Sequence, residues 1–340
     1  VAIVSAVRMT EGINVLSLFD GFSCGQLALE RVGVECKNYY ASEVDKYTKA
    51  VTQYHYPNTV QLGDVISIDT TLLPSIDLLI GGSPCTDLSF AGRQNGMSTA
   101  TSIEIYSLEQ YLSLKSEGFS FSGQSYLFWE FIRVLKEVRP KYFLLENTRM
   151  NNKWEFLVTN TLRGLMGLPE SWGPVEIDSA TMSAQSRKRL YWTNIPFAVV
   201  TPSCDLLLRD VVETFVSNRF TLSEKETKYM YRPKNGIPRW KSYRNDLDKK
   251  SGCITANIRK GVPYGCIQSS ASSREWRKLT PVECERLQTV PDNWTLVPVR
   301  RGKSSKLVPM SNYQRYKMLG NGFTVDVVAH ILKGLRGDND

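Results

Sequence analysis

Short apolar runs, each breaking into an acidic or small polar residue, are the feature that most narrows the folds open to this chain. Ile13 to Leu18 leads into the glycine-bearing turn Asp20 to Gly25, after which a helix is expected from near Gln26. A strand near Tyr39 to Ser42 ends at Glu43, and a short one in VQLGDVISID ends at Gly63-Asp64. Leu78 to Ile80 stops at Gly81-Gly82-Ser83-Pro84-Cys85, and Tyr142 to Leu145 runs into Glu146-Asn147. Apolar runs of this length between turn residues read as buried strands. Alternation with helix-like stretches such as Leu127 to Val138 predicts a doubly wound α/β sheet. Such sheets gather ligands beyond the carboxyl ends of their strands. Here those ends present Glu43, Asp64, Cys85 and Glu146.

Two of these ends carry distinct chemistry. A strand, a glycine-rich turn and a helix start make a cradle in which backbone N–H groups approach a ligand closely, although the full dinucleotide fingerprint is missing. Glu43, about 20 positions after the turn, is placed to accept hydrogen bonds from ribose hydroxyls. At the other end, Gly81, Gly82 and Pro84 force a tight loop at Cys85. Taken alone, that cysteine reads either as a buried, inert thiol or as a nucleophile held at a strand end.

Composition limits the alternatives. The chain has 340 residues with 42% hydrophobic content, enough for one large or two medium cores. Its apolar runs are far shorter than the ~20 residues of a membrane helix, and no signal-peptide pattern opens it, so a cytoplasmic protein is expected. The seven cysteines (24, 36, 85, 204, 253, 266 and 284) form no Cys-x-x-Cys pair, and His55 and His330 are the two histidines. Neither a metal site nor a disulfide framework is expected. The formal charge of +8 suits a polyanionic partner. Basic residues crowd the second half, at Arg187-Lys188-Arg189, Arg239 to Lys250, Arg259-Lys260, Arg274 to Lys278 and Arg300 to Lys306.

The ordered set FDGFSCGQLAL, SEVDKY, GDV, GGSPCTDLSFAG, ENT, QSRKRLYW, LTPVECERLQTVPDNW and GNGFTVDVVAHIL resembles the DNA cytosine-5 methyltransferase family from Asn14 to Leu332. The Ser-Pro-Cys-x-Asp-Leu-Ser variant and SYLFWEFIRVL are most similar to the de novo eukaryotic branch and its bacterial and phage relatives. The resemblance implies a Rossmann-like S-adenosylmethionine-dependent sheet with helices on both faces, a small target-recognition lobe, and double-stranded DNA as substrate. It implies that Cys85 adds to C6 of a cytosine flipped out of the duplex, since nothing reaches C6 inside the stack. Glu146 would serve N3 of that ring with help from Asn147, while Arg187 and Arg189 would lie beside the base O2 and the backbone.

The same resemblance assigns a cofactor pocket. It places Phe19 against the adenine, Glu43 on the ribose hydroxyls and Asp64 on the adenine amino group. Asp20, Gly21, Ser23, Gly25, Val44, Val65, Pro84 and Asn321 complete it. Thr148 stands where the family has valine, and Val44 where many members have tryptophan; neither change should abolish activity.

By this reading residues 1–12 are a flexible terminus, 13–195 begin the catalytic domain, 196–278 recognise the target, and 279–336 complete the catalytic domain. The serine-rich stretch Ser98 to Gln124 reads as an accessory contact or a tolerated surface insertion. GCITANIRKGVPYG resembles the family's recognition loop, with Asn257, Arg259 and Lys260, together with Ser89, as DNA-contacting candidates. If that loop is extended, Arg259 should face bases and Lys260 phosphates. Two alternatives remain: a tRNA cytosine-5 methyltransferase, whose Cys-Phe-Thr tripeptide is absent, and a silent homologue, which would lack parts of the catalytic set present here.

Overall fold

The structure, a computed structural model, describes residues 12–84, 87–88, 96–199, 204–268, 275–300, 302 and 306–337. The amino-terminal stretch 1–11, Cys85 and Ser89 therefore lie outside the described residues.

The first half alternates strand and helix: β1 Ile13–Leu18, α1 Cys24–Arg31, β2 Cys36–Ser42, α2 Lys46–His55, β3 Val60–Gln61 and β4 Leu78–Gly81. It continues with α3 Leu108–Ser116, α4 Phe128–Val138, β5 Tyr142–Asn147, α5 Asn152–Met166, β6 Val175–Asp178 and β7 Lys188–Thr193. These strands form a seven-stranded sheet in the order β3-β2-β1-β4-β5-β7-β6. β1 to β5 pair in parallel, whereas β7 runs antiparallel to both β5 and β6. The strand order reverses between β1 and β4, so connections leave to opposite sides and open a crevice at the carboxyl ends.

Alternation along each strand feeds two cores. Val15, Leu78, Ile80 and Leu144 enter one cluster, with the helix Val325–Leu332 packed on α1. Leu16, Leu18, Leu79, Phe143 and Leu145 enter the other, against Phe131, Ile132 and Leu135 of α4. Both faces are covered, which is why the strands read as near-continuous apolar runs. Helix α1 begins at Cys24, two residues before the expected start near Gln26.

Ser98 to Gln124 is not a loose surface insertion. Ile105, Leu108 and Tyr111 of this stretch are buried in the second core. The Tyr111 hydroxyl donates to the buried Glu130 carboxylate of α4 at 2.5 Å, and Lys115 pairs with it at 2.6 Å. Serine richness masked three apolar anchors.

The expected recognition region divides between two cores. Leu222, Met230, Cys266 and Trp276 form a small cluster of their own, beside a three-stranded sheet. Leu208, Ile254, Ile258 and Ile267 belong instead to the first large core. The segment Ala256–Lys260 is a 3-10 turn rather than an extended loop, and it packs on the helix Asn312–Asn321. Thr255 caps the turn, its hydroxyl accepting from the Asn257 N–H. Among the described residues no helix is long and apolar enough to cross a membrane.

Gly320 sets the approach of that turn, because a Cβ there would overlap the backbone of Thr255 and Ala256. Gly320→Ala should therefore destabilise by about 1–3 kcal/mol through overpacking. Gly164 of α5 is exposed with nothing within 4 Å of its would-be Cβ. Gly164→Ala should stabilise by about 0.4–1 kcal/mol. Urea denaturation of both variants checks the pair, and equal midpoints would contradict the packing.

Candidate active site

A cleft of about 580 Å³ opens where the carboxyl ends of β1, β2, β4 and β5 converge. Its floor is the turn after β1. Phe19, Gly21 and Ser23 all take left-handed φ values, of 58°, 61° and 63°, which folds the chain sharply back into α1. Two of the three are not glycine, so the neighbours must hold the turn in place. The Asp20 N–H donates to Ser42 O at 3.0 Å, and the Gly21 N–H donates to Glu43 Oε2 at 2.9 Å. Glu43 Oε1 accepts from the Val44 and Asp45 N–H groups at 2.8 and 2.7 Å. Glu43 thus binds two strand ends together while its carboxylate lines the cleft. Burial raises its pKa against those three backbone hydrogen bonds.

Asp20 is also buried, and burial pushes its carboxyl up to about 6, opposed by hydrogen bonds with Ser17, Ser23 and Tyr39. The Ser23 and Tyr39 hydroxyls donate to it at 2.7 and 2.8 Å. Ser23 and Gly25, expected in the pocket lining, lie beneath it instead. Ser23 is fully buried, and a Cβ on Gly25 would stand 3.0 Å from the Tyr39 hydroxyl and 3.3 Å from Ile80. They hold up the turn and do not line the cleft.

Val44, Asp64, Val65, Pro84 and Asn321 line the cleft with Phe19, Asp20 and Gly21. Asp64 already caps the following 3-10 turn through the Ile66 N–H at 3.1 Å. Sequence reading missed Lys317, which pairs with Asp45 at the rim, and Phe323, whose ring occupies the space above Gly82. A Cβ on Gly82 would lie 2.8 Å from that ring and 3.3 Å from Glu146 Oε2. Gly123 and Gln124 were also missed, because Ser98 to Gln124 read as an insertion, and so was Tyr126 just beyond it. The residue after Gly322 in the GNGF motif was the available signal for Phe323.

On the β5 side, Glu146 is buried and pairs with Arg189 at 3.0 Å. The Asn147 amide donates to Ser83 O and Oγ at 3.2 and 3.1 Å, fixing the residue before Pro84. Thr148 lines the cleft, and its buried hydroxyl has no hydrogen-bond partner among the described residues.

Arg187 and Arg189 both line the cleft, but not as a matched pair. Arg187 precedes β7 and is 4% exposed. It donates to Ile254 O at 2.9 Å, to Gly322 O at 3.0 Å and to Gly320 O at 3.5 Å, and lies 3.3 Å from Cys253 Sγ. Its guanidinium is committed to carbonyls from distant segments, with Nε left unpaired among the described residues.

Asn257, Arg259 and Lys260 do not line the cleft. The 3-10 turn cancels the alternate facing of an extended chain, and Arg259 lies over the Tyr313 ring at 5.2 Å and donates to its hydroxyl at 2.8 Å. Lys260 is exposed. Among the described residues no group of three or more His, Cys, Asp or Glu side chains could hold a metal ion.

The chain matches the family model for C-5 cytosine-specific DNA methylases over residues 13–161 and 170–336. The type II methyltransferase M1.ScrFI of Lactococcus lactis subsp. cremoris is 24% identical over 347 residues, covering 94% of this chain and 77% of that protein. The type II methyltransferase M.HhaI of Haemophilus parahaemolyticus is 26% identical over 349 residues, covering 95% and 94%. Among solved structures, the S. pombe Dnmt2 methyltransferase aligns with a TM-score of 0.61 at 15% identity, over 95% of this chain and 98% of that one. The Entamoeba histolytica methyltransferase EhMeth aligns at 0.64 and 14% identity, over 97% and 100%. These structural likenesses establish the fold, a methyltransferase α/β sheet, and the sequence match spans nearly the whole of it. The chain is a methyltransferase and belongs to the C-5 cytosine-specific DNA methylase family.

Proposed function

We propose that this enzyme methylates C5 of a cytosine flipped out of double-stranded DNA, with Cys85 as nucleophile and S-adenosylmethionine as methyl donor. One observation carries the reading. The Glu43 carboxylate, the Glu146–Arg189 pair and Pro84, the residue before Cys85, all border one cleft. Donor site and reacting base would then meet in a single space.

The cleft fits the donor. Its volume lies within the range of small-molecule sites, and its donor set is right for an adenosine. Glu43 offers acceptors for ribose hydroxyls, Asp64 an acceptor for an amino group, and Phe19 an aromatic face. Bound there, S-adenosylmethionine supplies the electrophilic methyl carbon that C5 takes.

The chain's own residues do the rest. Cytosine C5 is a weak nucleophile, and addition of the Cys85 thiolate to C6 makes it an enamine carbon. The negative charge that addition pushes onto N3 would be quenched by a proton donated from Glu146 in its protonated form, with Arg189 holding that side chain at Oε1. Water takes the C5 proton, and elimination returns the thiolate. Asn147 serves through Ser83, keeping the strand end that precedes the nucleophile in register. Ser89, Asn257 and Lys260 remain candidate DNA contacts, and Arg259 would reach DNA only from its seat on Tyr313. The reading puts the enzyme in the cytoplasm of a bacterial or phage-infected cell. It favours DNA over tRNA, since the family match is to DNA methylases.

Cys85→Ser should abolish turnover yet bind DNA nearly as well as wild type, because a hydroxyl is far less ionised than a thiol at neutral pH. Duplex carrying 5-fluorocytosine cannot release its C5 substituent as a proton. Wild type should therefore form a denaturation-resistant adduct on it, and an adduct with Cys85→Ser would sink the assignment.

Glu43→Ala should weaken S-adenosylmethionine binding by about ten- to a hundredfold, as hydrogen bonds to a charged group contribute roughly 1.5–3 kcal/mol. Titration calorimetry reads this directly. Unchanged affinity would mean that the ribose lies elsewhere.

A further inference from the structure

Asp87 stands two positions after Cys85 and is 2% exposed, yet nothing in the mechanism above uses it. Its Oδ2 accepts from the Gln124 N–H at 3.0 Å and from the Ser125 N–H at 3.3 Å. Its own N–H donates to Ser125 Oγ at 3.0 Å, and its carbonyl accepts from the Gly96 N–H at 3.0 Å. Ser125 is itself fully buried. At Gly123, whose φ is +63°, a Cβ would overlap the Asp87 carboxylate, so the approach depends on glycine there.

These contacts have a direction. Gly123, Gln124, Tyr126 and Leu127 form one wall of the cleft, just ahead of α4. Asp87 ties the chain following Cys85 to that wall, while Asn147 ties Ser83, on the other side of Cys85, to the end of β5. In the sequence Cys85 and Thr86 thus fall between Ser83 and Asp87, two residues held by independent buried hydrogen bonds. Because reaction rates fall steeply when a nucleophile is displaced by about 1 Å, anchors this close to a nucleophile bear on rate.

We infer that Asp87 is a positioning residue for methyl transfer, its buried carboxylate clamping the carboxyl side of the Cys85 loop to the Gly123–Ser125 wall. This rests on Cys85 being the nucleophile. The clamp acts on the rate of thiolate addition and leaves cofactor and DNA affinity alone.

Single-turnover adduct formation on 5-fluorocytosine duplex, with saturating S-adenosylmethionine, separates positioning from folding. Misfolding lowers the amplitude of adduct, whereas misplacement lowers its rate constant. Asp87→Ala should slow adduct formation about ten- to a hundredfold with DNA affinity unchanged. Asp87→Asn keeps a carbonyl acceptor of the same size and should restore the rate to within about threefold of wild type. A wild-type rate in Asp87→Ala would overturn the inference alone. No adduct with wild-type protein would sink the nucleophile assignment and this inference with it. Should Asp87→Ala fail to fold, Ser125→Ala removes the acceptor of the Asp87 N–H: a slowed rate supports the clamp, and an unchanged rate overturns it.

Discussion

The arrangement of the cleft depends on one buried cation. Arg187 is withdrawn from water and spends its guanidinium on the carbonyls of Ile254, Gly320 and Gly322. A charge so placed is tolerable only when its donors are met, and removing its partners would leave it uncompensated. The three carbonyls belong to segments far from Arg187 in sequence: the run leading to the 3-10 turn, the end of the helix Asn312–Asn321, and the turn that follows it. Holding them together seats Phe323 over Gly82 and brings Asn321 to the cleft. The Gln185 side chain reinforces the same junction, accepting from the Ile254 N–H at 2.8 Å and donating to Leu287 O at 3.0 Å. One side of the cleft is thus completed by chain that returns from the far end of the sequence.

That dependence extends beyond the sheet. Ile254 and Ile258 share a core with Val325 and Leu319, so the segment around the 3-10 turn is an extension of the catalytic core. Arg259 rests on Tyr313, the second residue of the helix whose far end carries Gly320 and Asn321.

Much of this was legible in the sequence, and the boundary follows the physics. β1, β4 and β5 lie nearly where the apolar runs put them, because strands buried on both faces must be apolar throughout. Glu43 and Glu146 fall at strand ends lining one cleft, as the break from apolar to acidic residues suggested. What escaped was set by contacts distant in sequence. Ser23 and Gly25 belong to the cradle motif, yet their inward direction depends on Tyr39 and Ile80. Arg187 and Arg189 sit two apart, but β7 starts only at Lys188, so alternation does not reach back to Arg187. Local composition hid the anchors of Ser98 to Gln124, and the Thr255 cap turned an apparently extended loop into a 3-10 turn.

The central claim is chemical: one cleft joins methyl donor, thiolate and a flipped cytosine of duplex DNA. Incubating the protein with S-adenosylmethionine and either mixed-sequence duplex DNA or tRNA, followed by nucleoside mass spectrometry, tests it most directly. The account predicts 5-methyl-2′-deoxycytidine in the DNA and no methylated product in the tRNA. Methylation confined to tRNA, or a methyl group on an exocyclic amine of the DNA bases, would contradict it.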